Sequence, residues 1–190
     1  MALQALVDCG DRYKAALGSR GADLKVPRAV GDLIVVDRYA GDATTDFGAP
    51  GAIPATDRVP VSATELDRLI GLLEAAWQAF EAAANSAAGM ELRPAGPRGG
   101  GRELGKIREH VSGADGSYAR AVGGTSPPDD DWPAVQRALL EHIRARARGE
   151  LPDRGPRGGE RWPARYGIRR SAWHALDHAW EIEDRLTSGR

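Results

Sequence analysis

Leu66, Leu69, Ile70, Leu73, Ala76, Trp77, Phe80 and Ala84 recur at intervals of three and four residues and predict a helix with one broad apolar stripe. Ser62-Ala63-Thr64-Glu65 reads as a capping box at its start, with the Ser62 hydroxyl accepting from the Glu65 backbone N–H while the Glu65 side chain reaches back. The stripe is too wide for a surface helix with a single neighbour. Gly89 and the stretch 93–97, which holds two prolines, end it.

A second helix is predicted from about Arg102 to Val122 by Leu104, Ile107, Val111, Ala114, Tyr118 and Val122, with Gly123-Gly124 as its stop. Asp129-Asp130-Asp131 places negative charge where the dipole of a third helix favours it, and Pro133 is tolerated in that helix's first turn. Val135, Leu139 and Ile143 form its inner side, and it ends near Gly149. A Pro/Gly/Arg loop fills 152–163. After Pro163 a fourth helix carries Ile168, Ala172, Trp173, Leu176, Trp180, Ile182 and Leu186 to about Thr187. Four amphipathic helices joined by loops predict an all-α protein built as a four-helix bundle over residues 61–188.

Residues 1–60 follow another pattern and are expected to form an N-terminal extension. Leu3–Leu17 suits a short helix. Leu33-Ile34-Val35-Val36 is a short β-branched run suited to an extended segment, and 42–60, rich in Gly, Pro, Asp and Thr, suits a loop laid over the bundle or a tether. No internal repeat is apparent.

Charge removes several function classes. With 26 basic and 27 acidic residues the formal charge is −1, so no global field favours nucleic acid or an anionic membrane. No apolar run approaches the ~20 residues that span a bilayer, and Asp8, Asp11 and Arg12 break up any signal-peptide pattern early. A single cysteine, Cys9, excludes an internal disulfide and a thiolate-rich zinc site. The expectation is a soluble cytoplasmic protein with a small-molecule substrate and neither nucleic acid nor membrane as partner; a homodimer stays open.

Chemistry concentrates in the histidines. The chain has 4, and His174 and His178 stand four residues apart on the predicted last helix. That spacing stacks two imidazoles one turn apart, with Cβ atoms ~6 Å from each other, so both can reach one ion. A third ligand must come from another element, and His110 flanks the second helix's apolar stripe. His174 lies toward the polar side of its helix, which places the site at a solvent-open mouth of the bundle. A packed or solvated pair of histidines is the bland alternative. His142 faces inward equally well on the third helix and is expected to be a packed or rim histidine.

Glu181, Asp177 and Asp115 fall within plausible reach of the histidines, where each could hold a ligand's second N–H or a bound water. The plainer reading is solvated helix charges in i,i+4 pairs, such as Glu181 with Arg185. Trp77, Trp173 and Trp180 could wall a substrate cleft, but tryptophans at helical spacing are better read as core. The glycine-rich stretches 98–102 and 154–159 follow no predicted strand and so are not phosphate-binding turns. No Ser-His-Asp order or paired buried carboxylates are apparent, so a protein-borne nucleophile is not expected.

Arg108-Glu109-His110-Val111-Ser112-Gly113-Ala114-Asp115, followed by Tyr118, resembles the second-helix motif of the DinB/YfiT-like superfamily. Arg169-Arg170-Ser171-Ala172-Trp173-His174-Ala175-Leu176-Asp177-His178-Ala179-Trp180-Glu181 resembles its fourth-helix motif, and with the helix order the likeness spans about residues 62 to 188. The resemblance implies a divalent metal, typically zinc or nickel, held by His110, His174 and His178. It also implies relatives that use low-molecular-weight thiols as cosubstrates. The activity so implied is metal-dependent thiol S-transfer. Metal-dependent hydrolysis and a non-catalytic metal- or ligand-binding stress-response module are the alternatives.

Overall fold

The structure is a computed structural model that describes residues 2–46, 48–94, 101–128 and 130–186. Phe47, the predicted loop residues 95–100, Asp129 and the expected helix end at Thr187 lie outside the described residues. The fold is all-helical: α1 (Ala2–Asp8), α2 (Gly10–Ala16), α3 (Ala43–Asp46), α4 (Ala63–Ser86), α5 (Leu104–Ala121), α6 (Trp132–Ala147) and α7 (Ala164–Leu186), with no strand among the described residues. Short 3₁₀ turns occupy Gly18–Gly21, Val30–Asp32 and Ala55–Arg58.

Helices α4 to α7 share one apolar core, with the most extensive contact between α4 and α7. Leu73 and Phe80 of α4, Ile107 of α5, Leu139 and Ile143 of α6 and Ile182 of α7 are fully enclosed. Phe80 meets Trp132 edge to face, ring centroids 5.2 Å apart at 87°, the arrangement that ring quadrupoles favour. The predicted stripes are the faces that pack. None of the described helices is long and apolar enough to cross a membrane.

Helix ends follow local chemistry with one exception. Asp131 caps α6 by accepting from Ala134 N–H at 2.9 Å. Gly123, at φ 106°, supplies the left-handed residue that stops α5. Ser62 accepts from Glu65 N–H at 3.2 Å, but the Glu65 carboxylate does not close the predicted box. It is taken bidentately by Arg165 at the start of α7, one contact being 2.8 Å. A guanidinium offers a charge-assisted pair that a lone backbone N–H cannot match.

The N-terminal extension departs from expectation in its first helix. The segment predicted as one helix, Leu3–Leu17, breaks at Cys9 into α1 and α2. Gly10 lies so close to Val26 that an added Cβ would come within 2.5 Å of its Cγ1, so the chain turns there to pack against the 22–28 segment. The Leu33–Val36 run is irregular and exposed, with Ile34 88% accessible, since no neighbouring strand pairs with it. The later part of the predicted loop, 50–60, lies on α7: Tyr166 O–H donates to the Pro50 carbonyl at 2.8 Å, and Arg169 donates to Asp57 at 2.6 Å.

Candidate metal centre

His110 occupies the middle of α5, and His174 and His178 stand one turn apart on α7. The packing of α5 against α7 brings the three rings together edge to face, with centroids 4.7 to 5.0 Å apart. The Nε2 atoms converge. His174 Nε2 is 3.1 Å from His110 Nε2 and 3.2 Å from His178 Nε2, and the three candidate ligand atoms lie within 4.8 Å of one another. Two nitrogens bonded at ~2.0–2.1 Å to one ion, at angles between square and tetrahedral, stand roughly 3.0–3.4 Å apart. The two spacings at His174 fall in that window, so the three close histidines could hold a metal ion.

The proton inventory points the same way. Glu181 Oε2 lies 2.7 Å from His178 Nδ1. A carboxylate only accepts, so the proton sits on Nδ1, and in the neutral tautomer that this selects Nε2 presents its lone pair to the centre. Contact with His178 holds the Glu181 carboxyl below the ordinary glutamate range. Glu181 Oε1 also accepts from Arg185 at 2.9 Å, so the predicted i,i+4 pair and the predicted ligand support occur in one residue. His174 Nε2 faces two other nitrogens and, as a donor, could serve only one of them. Its Nδ1 is buried with no partner among the described residues. Imidazole nitrogens that meet at 3.1 and 3.2 Å across His174 are poorly satisfied by one another and well satisfied by a shared cation.

Depth is where expectation fails. His174 and His178 are 7% and 6% exposed and His110 is half-buried, so the site is not the solvent-open mouth predicted for it. A helical wheel counts only the helix's own residues. Here Tyr118 of α5 stands 6.0 Å from the His174 ring, centroid to centroid, and covers the side that looked polar, beside α7's own Trp173 at 5.9 Å. Arg170 folds back over Tyr118, Trp173 and Trp162, 5.1 to 5.9 Å from their centroids. Burial, then the neighbouring His178 and His110, then Arg170 and Arg102, push His174 down to about 3. Burial and Arg102 also lower His110. His110 and His174 are thus neutral near pH 7, as ligands must be.

The other candidates separate. Asp115 supports no histidine directly: it is 1% exposed and accepts from Trp132 Nε1 at 2.9 Å and from the Ser171 hydroxyl at 2.5 Å. Asp177 is exposed, and its side chain has no hydrogen-bond partner among the described residues. His142 is a rim histidine whose Nε2 accepts from Thr125 N–H at 3.1 Å, away from the cluster. Trp77 is core and donates to Ser171 Oγ at 3.2 Å. Trp173 and Trp180, expected in the core, are half-buried and line a cavity against the N-terminal extension. Glycines 155–159 close on themselves through Gly158 N–H to Gly155 O at 2.9 Å.

Sequence reasoning missed Trp162 and Arg170, and named Arg185 only as an i,i+4 partner of Glu181. Arg185 is 7% exposed and donates to the Arg93 and Arg102 carbonyls as well as to Glu181. Its only sequence signal was its place four residues after Glu181. Trp162 lies in a loop, where periodicity carries no information.

These features define an all-helical protein with a buried three-imidazole cluster backed by a carboxylate. No protein-family model, curated protein or solved structure matches the chain.

Proposed function

We propose that the chain is a divalent-metal-binding protein whose four long helices form a DinB/YfiT-like bundle, with His110, His174 and His178 as the ligands of one ion. The observation that carries this reading is the convergence of three Nε2 atoms at 3.1 and 3.2 Å from two separate helices. Three neutral imidazoles suit zinc or nickel and leave coordination positions for an exogenous molecule, as catalytic sites do and closed structural sites do not. Glu181 fixes the His178 tautomer, and Arg185 holds Glu181 in place.

The reaction we assign is transfer of a low-molecular-weight thiol to an electrophilic small molecule. A bound divalent ion would supply the Lewis acidity that deprotonates a coordinated thiol. The thiol must come from outside the chain, because Cys9 lines a cavity associated with the N-terminal extension and none of the histidines lines that cavity. Arg102 and Arg170, close enough to depress His174, would favour an anionic thiolate or substrate carboxylate nearby. Tyr118 and Trp173 would shield the site from bulk water.

Elemental analysis of the purified protein, set beside the His110→Ala and His174→Ala variants, tests the ligand set. Near-stoichiometric zinc or nickel in the wild type and its loss in both variants is the expected result; full retention in either variant would refute it. Thiol cosubstrates are then assayed against electrophiles with the metal-loaded protein. Turnover that needs metal and external thiol supports transfer, and turnover with water alone would replace it with hydrolysis.

A further inference from the structure

A cavity of about 740 Å³ lies between the N-terminal extension and the outer faces of α4 and α7. Leu6 and Val26 of the extension, Leu72 of α4, and Ala172, Leu176 and Trp180 of α7 form most of its apolar wall. It is separate from the histidine cluster. Leu176 stands two residues from both His174 and His178, so it projects about 160° away from each around the helix. The volume falls within the roughly 300–1,000 Å³ of small-molecule sites, and the lining has their composition, mostly apolar with a few polar groups. The extension covers this groove without filling it.

Charge at the polar positions selects the occupant. Arg165 and Arg169, both in the lining, are already engaged, by Glu65 and Asp57 respectively. The buried lining atom left without a partner among the described residues is an acceptor. Asp57 is 2% exposed, and its Oδ2 has no partner among the described residues. Asp177, also in the lining, is exposed to solvent and so carries no such unmet demand. A buried carboxylate oxygen without a donor, as at Asp57, is costly and is relieved by an incoming N–H. Burial pushes the Asp57 carboxyl up despite Arg169, which is the direction a further cation would reverse.

We propose that this cavity is a second ligand site, independent of the metal centre, for a cationic amphiphile: an apolar body seated between the extension and α7, with an ammonium head on Asp57.

The test titrates the full chain with decylamine, decanol and decanoate at submicellar concentrations, read by tryptophan fluorescence (Trp173 and Trp180 line the cavity) and by melting temperature. Saturable decylamine binding that raises the melting temperature, with decanol weaker and decanoate weakest, is expected. Asp57→Asn should weaken decylamine about tenfold, the worth of one charge-assisted hydrogen bond, while leaving decanol nearly unchanged. Ala172→Phe, and Leu72→Trp should that variant not fold, should fill the space and abolish binding with helicity intact. Decanoate binding as tightly as decylamine, unchanged decylamine binding in a folded filled-cavity variant, or no saturable binding would each overturn the proposal. So would competition between decylamine and added zinc, which would place the amine at the histidines.

Discussion

Asp115 and Ser171 join α5 to α7 through a 2.5 Å hydrogen bond in the buried core, five residues after His110 and three before His174. Trp132 Nε1 donates to the other Asp115 oxygen, and Trp77 Nε1 donates to Ser171. One carboxyl therefore gathers side chains from all four long helices. It also fixes the register in which the α5 imidazole meets the two on α7.

That carboxyl predicts a pH signature. Burial raises Asp115 from 3.8 to about 6. The folded state then holds a proton between about pH 4 and 6 that the unfolded state has released, so this group's contribution to stability is greatest below pH 4 and is lost as pH rises through 6. The difference, about two pKa units, is on the order of 3 kcal/mol. Asp115→Asn removes the titration. In chelator-treated protein, urea unfolding should show the wild type gaining on the variant as pH falls from 7 to 4, by up to that amount. A stability gap that is flat with pH would refute the buried, protonating carboxyl.

Glu181→Gln should weaken metal binding by about 10- to 100-fold, the usual effect of removing an anionic partner from a ligating histidine. The fold should survive, since Gln can still accept from His178 Nδ1–H. Competition with a chromophoric chelator measures this directly. Unaltered affinity would mean that Glu181 is only a helix charge paired with Arg185.

Metal should stabilise the folded protein. Binding confined to the native state adds about 2.7 kcal/mol at a hundredfold excess over Kd. Zinc or nickel should therefore raise the melting temperature of the wild type, and chelator should reverse the rise. His178→Ala should lose the response, while His142→Ala, altered at the rim, should keep it.

Gly167→Ala tests the approach of α7 to α5. The added Cβ would come within 2.7 Å of Val122 Cγ1, and Val122 is fully buried. Alanine gains about 1 kcal/mol of helix propensity over glycine, while overpacking a filled core costs typically 1–3 kcal/mol. Net destabilisation, seen as a lower denaturation midpoint, is expected; net stabilisation would mean the contact is loose.

Much of this was written in the chain's local pattern. The four long helices, the Asp131 cap and the glycine stop at 123 follow from side-chain periodicity and from the backbone preferences of single residues. The candidate ligands were equally legible: His174 and His178 must share a face because four residues is one helical turn. These are properties of a helix taken alone.

Packing decided the rest. The Nε2 spacing across α5 and α7, the cover of His174 by Tyr118, and the gathering of Asp115, Ser171 and two tryptophans depend on residues up to 94 positions apart. Helical spacing states which side of a rod a residue occupies, not what lies against it. Glu65 shows the difference plainly: its sequence neighbours assign it to a cap, and the folded chain gives it to Arg165 instead, 100 residues away. The cavity beneath the N-terminal extension belongs to the same category, since empty space between elements leaves no mark on the periodicity of either.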